Sequence, residues 1–264
     1  MVDPEHENST DVSVNGAPPS DVTIEIRDLH KSFGPVHVLR GISLSVNEGT
    51  SSVVMGGSGT GKSVLIKNIV HLLEPDRGEV WVMGRRVDEL DGDDLDKLRL
   101  SIGYLFQSGA LFDSMTVYEQ LDFYLTRHTE LDEDERDERI ETTLSWVNLE
   151  ETGPKYPSEL SGGQRKRIGL ARAIILQPKI LLYDEPTTGL DPVSVRTVSN
   201  LIVRLRDERG ITSIAITHDL LCAEIIADTV HFLSGGEIVA HGTMDEVKQS
   251  THPEVMRFFG GEDG

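Results

Sequence analysis

The sequence predicts an α/β domain on a mostly parallel sheet, with a β-rich opening segment and an α-helical subdomain inserted in the middle. Three observations carry this reading. The short continuous apolar runs Val53-Val54-Met55, Ile180-Leu181-Leu182-Tyr183 and Ile211 to Thr217 are too short for helices and read as strands buried on both faces. Segments of helical period lie between and around them, among them Ser63 to Leu73 and Val193 to Arg209. A glycine-rich stretch, Gly56 to Ser63, joins the first of these strands directly to a helix.

Taken in order, Met1 to Ser20 is rich in Pro, Ser, Asp and Asn, reads as a disordered tail, and holds no apolar stretch that could serve as a secretion signal. Ordered pattern begins with Val22-Thr23-Ile24-Glu25-Ile26, which alternates with period two, and the β-rich segment extends to about residue 55. In Ser63 to Leu73 the apolar positions Leu65, Ile66, Ile69, Val70 and Leu73 fall at helical spacing. From about Asp93 to Ser158 the chain is polar, highly charged and helical in pattern, which predicts the inserted subdomain. A basic amphipathic segment, Arg165 to Leu176, precedes the return of the α/β pattern. Thr229 to Leu233 and Glu237 to Ala240 flank Ser234-Gly235-Gly236 and predict a hairpin. No internal repeat is present, so the chain carries one such unit.

Composition narrows the class. With 38% hydrophobic and 27% charged residues, the 264-residue chain has enough apolar material for a globular core. No run of 18 apolar residues predicts a membrane span. The single Cys222 cannot form an internal disulfide, which points to a reducing compartment and hence the cytoplasm. The net charge of −20, from 45 acidic against 25 basic residues, repels nucleic acid, so no nucleic-acid partner is expected. Such an acid-rich surface also suits a salty cytoplasm. The acidic runs Asp88 to Asp96 and Asp132 to Glu141 lack calcium-loop spacing and read as solvated helix faces.

Three motifs carry chemistry. Gly56-Gly57-Ser58-Gly59-Thr60-Gly61-Lys62-Ser63 fits G-x-x-x-x-G-K-[ST] between a strand and a helix. Its glycines let the backbone curl so that successive N–H groups point at phosphate oxygens; Lys62 adds positive charge, and Ser63 offers a hydroxyl to Mg²⁺. Asp184-Glu185 follows an apolar strand, where open α/β sheets place ligand groups. Alone, this pair would be an exposed turn before Pro186; beside a phosphate loop, Asp184 would orient Mg²⁺ through water and Glu185 would align the attacking water. Leu160-Ser161-Gly162-Gly163-Gln164 opens the basic segment and makes a second anion nest at a helix N-terminus. One chain with two anion nests needs an explanation.

That pentapeptide is the signature of the nucleotide-binding subunits of ATP-binding-cassette (ABC) transporters, and the chain resembles them from about Val22 to Met256. The resemblance implies an ABC-type P-loop ATPase domain over 22–257. It would have an N-terminal antiparallel β subdomain and a helical subdomain over about 93–172, with 258–264 as a tail. It implies ATP and Mg²⁺ as ligands, and a head-to-tail dimer in which Ser161, Gly162 and Gly163 of one copy close over the γ-phosphate held by the other. Phe33, alone most simply a core residue, matches the aromatic that stacks on adenine. Gln107, alone a loop residue, matches the glutamine that senses Mg²⁺ and γ-phosphate and faces the membrane partner. Asp191 matches the aspartate that couples the two sites. His218, alone a structural histidine, matches the switch residue that contacts γ-phosphate and Glu185, with which it would be catalytic.

Within that family the chain is similar to the ATPases of Mla- or Mce-type lipid transporters. The similar stretches are Leu105 to Val117, with small Ser108, Gly109 and Ala110 after the glutamine; Gly61 to Lys67; Ile238 to Thr243; and His252 to Phe259. One departure is Gln164, where many of those ATPases carry Met. This likeness implies phospholipid transport through integral permease subunits, an indirect periplasmic lipid-binding MCE partner, and a peripheral position on the cytoplasmic face of the inner membrane. The small residues beside Gln107 are expected to leave a shallow groove for a permease helix. An importer or exporter of small polar solutes such as amino acids is the alternative. A chromosome-organising ATPase would need a long heptad insertion, a translation-associated one two cassettes, and a regulator without activity would be expected to lack Glu185 or Lys62.

Overall fold

A computed structural model describes residues 16–260; the first fifteen residues of the segment read as a tail, and the last four of the chain, lie outside the described residues. Strand β1 (Val22–Phe33) turns at Gly34, φ +58°, into antiparallel β2 (Val36–Asn47). β3 (Ser51–Met55) leads through the glycine-rich loop into helix α1 (Lys62–Ile69). β4 (Arg77–Val82) and β5 (Arg85–Arg86) then return to β1, giving an antiparallel sheet in the order β2-β1-β4-β5. The antiparallel layer is therefore completed by strands that follow α1, which the alternation at Val22 to Ile26 alone does not announce.

α2 (Gly92–Leu100), β6 (Ile102–Leu105), α3 (Val117–His128), α4 (Glu133–Trp146) and α5 (Gly162–Ile174) follow. The second half comprises β7 (Ile180–Asp184), α6 (Pro192–Arg209), β8 (Thr212–Ile216), α7 (Leu220–Ile226), the antiparallel pair β9 (Thr229–Ser234) and β10 (Glu237–Gly242), α8 (Met244–Lys248) and α9 (Pro253–Gly260). The six-stranded sheet runs β10-β9-β3-β8-β7-β6, and every pair but β9/β10 is parallel.

Alternate residues of the buried strands feed two cores. Val53, Met55, Leu181 and Tyr183 pack with the helical side, whereas Val54, Leu182 and Ile214 pack with α1 and the antiparallel sheet. Register then places the site. Val54 and Asp184 both pair with Ile216, so the carboxyl ends of β3, β7 and β8 release the phosphate loop, Glu185 and His218 along one edge. Ligands of open parallel sheets sit at this edge.

Three boundaries differ from the sequence reading. α1 stops at Ile69, four residues before Leu73, because His71 takes φ +53°. The span 93–172 assigned to a helical subdomain contains β6, a strand of the central sheet. A Cβ at Gly103 of β6 would lie 2.2 Å from the Ala173 carbonyl oxygen, so the close approach of α5 demands glycine, a residue that weakens a strand signal. The ordered chain also continues past 257. Phe258 and Phe259 meet the ring of Phe232 with centroids 5.1 and 6.2 Å apart, and such aromatic pairs contribute about 0.5–1.5 kcal/mol beyond their burial. Of the leading segment, Gly16 accepts a hydrogen bond from Arg27 Nη1 at 2.8 Å, and Pro19 accepts one from Val22 N at 3.1 Å.

Candidate functional site

The phosphate loop owes its shape to its neighbours. Gly56 has φ +149°, and a Cβ there would lie 2.2 Å from the Leu233 carbonyl oxygen of β9. Gly61, φ +102°, caps α1 with no side-chain partner, leaving the helix N-terminal N–H groups for an anion. Lys62 is 7% exposed, and its Nζ donates to Gly56 O at 2.9 Å and Gly57 O at 2.7 Å. Burial holds this ammonium below the usual lysine range, with Glu185 and Asp184 opposing. A desolvated cation folded back on its own loop is poised to exchange carbonyl partners for phosphate oxygens.

An open cleft of about 710 Å³ fronts the loop. Phe33, Gly57, Ser58, Gly59, Thr60, Gly61, Lys62, Ser63, Gln107, Glu185 and His218 all line it, so eleven of the residues named from sequence meet in one place. Val38, Val64 and Phe258 complete the lining. Phe33 is 47% exposed, with Lys31 Nζ 5.6 Å from its ring centroid, so it is no core residue. An exposed ring at the mouth of a phosphate cleft suits stacking on a base.

The carboxylates differ in their surroundings. Asp184 Oδ1 accepts from Ser63 Oγ and Oδ2 from Tyr104 Oη, both at 3.3 Å. Burial pushes the Asp184 carboxyl above its ordinary range, against these two hydrogen bonds. A hydroxyl and a desolvated carboxylate converging from two elements form the hard oxygen donor set that Mg²⁺ takes with nucleotide phosphates, so the residues fit the metal. Glu185 sits in the left-handed region, φ +52°, with its N–H donating to Ile216 O at 2.9 Å. Its Oε1 lies 2.9 Å from His218 Nδ1, and its Oε2 accepts from Thr188 Oγ1 at 2.9 Å and Thr217 Oγ1 at 3.4 Å. Thus Glu185 is aimed from both sides, and His218, 57% exposed at the side chain, is its link to the open cleft.

Ser161, Gly162, Gly163 and Asp191 are not in this cleft. Ser161 caps α5 by accepting from Gln164 N at 3.2 Å while Gln164 Oε1 accepts from Ser161 N at 2.9 Å, a capping box that a Met at 164 could not make. Asp191 caps α6, accepting from Val193 N and Ser194 N at 3.0 Å and from Ser194 Oγ at 2.6 Å; these bonds hold its carboxyl below the usual range. A Cβ at Gly163 would lie 3.0 Å from Ser194 Oγ, so the α5 and α6 N-termini stand side by side. The second nest faces outward beside the Asp191 cap.

Sequence reasoning missed the residues that hold the site together. Tyr104 supports Asp184, Thr188 and Thr217 support Glu185, and Lys166 donates to both Gln107 O and Glu185 O. Phe258 joins the cleft from the segment read as a tail. Ser108, Gly109 and Ala110, expected to leave a groove, include two residues with a backbone role. Gly109 and Ala110 have φ +75° and +48°, and Arg172 binds both carbonyls, so small residues serve the backbone path there. A concavity of about 190 Å³ lies among Tyr104, Phe106, Tyr124, His128 and Arg172.

A phosphate loop between strand β3 and helix α1, a histidine just past the neighbouring strand β8 and an Asp-Glu pair at the end of β7 beyond it define a P-loop nucleotide hydrolase. The second, outward-facing glycine nest narrows the class further. Residues 39–188 match the ABC transporter family, and the chain belongs to it. It is an ATP-binding, ATP-hydrolysing subunit of that family. The chain is 40% identical over 259 residues to Arabidopsis thaliana chloroplastic protein trigalactosyldiacylglycerol 3, spanning 92% of this chain and 74% of that one. It is 36% identical to the Haemophilus influenzae intermembrane phospholipid transport system ATP-binding protein, spanning 90% of each. A Cutibacterium acnes methionine import ATP-binding protein is 37% identical over 95% of this chain and 70% of its own. Among solved structures, a dimeric bacterial ABC transporter cassette superposes with a TM-score of 0.77 at 31% identity, covering 83% of this chain and 97% of that one.

Proposed function

We propose that the chain drives phospholipid movement as one of two identical ATPase subunits beneath a membrane permease of Mla or Mce type. The observation that carries the dimer is the separation of the two anion nests. The α1 nest opens into the cleft with Lys62, Glu185 and His218, whereas the α5 nest of the same chain points elsewhere. A head-to-tail pair brings Ser161, Gly162 and Gly163 of each copy over the cleft of the other and encloses two ATP. The dimeric relative supports this arrangement.

In each cleft Phe33 stacks on the base, the Gly56–Ser63 loop cradles the phosphates, and Lys62 turns from its two carbonyls to the β- and γ-phosphate oxygens. Ser63 and Asp184 would hold Mg²⁺, which would supply positive charge to neutralise the phosphates. Glu185, fixed by Thr188 and Thr217, orients and polarises the attacking water. His218 holds the other carboxylate oxygen and faces the γ-phosphate. Gln107 reads the state of the γ-phosphate and passes it to the permease surface, and Asp191 carries it across the dimer. Closing with ATP and reopening after hydrolysis is a ligand-driven shift between two states.

Cargo and location rest on likeness. Two of the relatives bear lipid names, which supports phospholipid as cargo, an MCE protein as indirect periplasmic partner, and a peripheral seat on the cytoplasmic face. Among the described residues no helix is long and apolar enough to cross a membrane. Exposed Phe106 and Phe112 flank Gln107 and offer an apolar seat for a permease helix beside the 190 Å³ concavity. A second reading, import of a small solute, is favoured by the methionine import relative. ATPase activity of the complex purified from its host decides between them. Stimulation by phospholipid and not by amino acids is expected, and stimulation by an amino acid alone overturns the lipid assignment.

A further inference from the structure

Helix α5 does more than present the glycine nest at its N-terminus. Lys166, one turn in, is 7% exposed and lies on the face turned toward the central sheet. Its Nζ donates to the backbone carbonyl of Gln107 and, at 3.1 Å, to that of Glu185. A turn later, a Cβ on Gly169 would stand 3.2 Å from Gly109 Cα, so helix and loop touch backbone to backbone. A further turn on, Arg172, also 7% exposed, donates to Gly109 O at 3.0 Å and to Ala110 O. Three successive turns of one helix face therefore grip the 107–110 loop, and the first grips Glu185 as well.

Neither cation is there for packing alone. A buried ammonium is costly unless its donors are paired, and the two carbonyls paired with Lys166 belong to two different functional loops. Burial lowers the Lys166 ammonium below its ordinary range, with Asp184 and Glu185 drawing it back up. The Glu185 peptide it holds is left-handed in a residue with a side chain, a conformation that persists only where its surroundings over-determine it. Ile216 O holds the Glu185 N–H and Lys166 holds its C=O.

We infer that Lys166 is a positioning residue that ties the second nest to the Gln107 loop and to the Glu185 backbone. A displacement of α5 when the partner's nucleotide engages Ser161 would then move Gln107 and Glu185 together. The inference rests on the proposed dimeric site. It adds that the message to the permease-facing loop travels inside one chain, through a side chain that touches no substrate.

The test compares Lys166→Met, Lys166→Gln and Lys166→Arg in the chain purified with its membrane partner, reading ATP turnover, KM for ATP, and thermal unfolding. Lys166→Met and Lys166→Gln are expected to lower kcat tenfold or more with KM within about twofold, and Lys166→Arg to restore at least a third of kcat. Unchanged kcat in a folded Met or Gln variant overturns the inference, as does a change confined to KM. If neither neutral variant folds, Lys166 belongs to stability alone and the inference is equally overturned. Glu185→Gln, measured beside them, separates the two levels. If it leaves hydrolysis intact, the site assignment itself fails; if it abolishes hydrolysis while the Lys166 variants are normal, only this inference fails.

Discussion

The two glycine-rich helix starts use the same backbone chemistry to different ends. At α1 the cap is Gly61, with no side-chain partner, and the surroundings are a buried lysine and two carboxylates. At α5 the cap is Ser161, closed into a capping box by Gln164, with no cation or carboxylate of the central cleft beside it. The first leaves its donors open and gathers reactive groups at a cost to stability. The second closes Ser161 and Gln164 into a box that adds stability, and leaves the Gly162 and Gly163 N–H groups for an anion. In the proposed dimer the two are halves of one site, one carrying the chemistry and one the closure.

The sharpest way to break this comparison is to disable each half and ask what is lost. Glu185→Gln is expected to lower hydrolysis by about 10²- to 10⁴-fold, the range for removal of a general base, with ATP affinity unchanged within about twofold. Steady-state turnover and a nucleotide-binding titration check both numbers. Ser161→Arg should lower hydrolysis by about 10²- to 10³-fold, as for a lost donor to developing phosphate charge, while a single chain still binds ATP normally. Lost binding by the isolated chain would place Ser161 in its own cleft and end the distinction.

Smaller effects should have opposite signs. Ser161→Ala removes a helix cap and should lower the unfolding midpoint by roughly 2–4 °C, the shift produced by about 1 kcal/mol in a large domain. Asp184→Asn should raise the midpoint of the nucleotide-free protein by a similar roughly 2–4 °C, because it removes a carboxylate that burial disfavours in its charged form. The sign with pH follows. Because the folded-state pKa of Asp184 is raised, its cost is present above that pKa and vanishes as pH falls below the ordinary value of 3.8. The advantage of Asp184→Asn is thus expected at pH 7 and absent near pH 3.5, as denaturant unfolding at the two pH values would show; equal advantage at both would assign it to repacking.

Much of the fold and the central cleft was legible because their signals are local. The apolar runs fixed the buried strands to within a residue or two, Pro192–Arg209 and the β9–β10 hairpin appeared where the pattern put them, and the phosphate loop is a contiguous motif. What escaped depends on contacts between distant residues. β6 hid behind Gly103, which α5 requires, and β4 carries Gly78, where a Cβ would stand 2.3 Å from Asp28 O of β1. Close approach calls for glycine, and glycine erases strand pattern. Lys166 was invisible for a related reason. On an amphipathic helix it reads as solvated charge, yet it binds carbonyls 59 residues before it and 19 after. Phe258 was lost to a boundary, since only its packing on Phe232 shows that the chain is ordered there.

The central claim, that one copy's second nest completes the other copy's cleft, is open to direct capture. Cys222 is the only cysteine of the chain and is buried, so introduced cysteines give a clean readout. Ser58→Cys and Ser161→Cys in one Glu185→Gln chain, treated with a short bifunctional thiol reagent, should give a covalent dimer with ATP and Mg²⁺ and little with neither. A chain that stays monomeric under saturating ATP and Mg²⁺, or cross-links only within itself, would contradict the account.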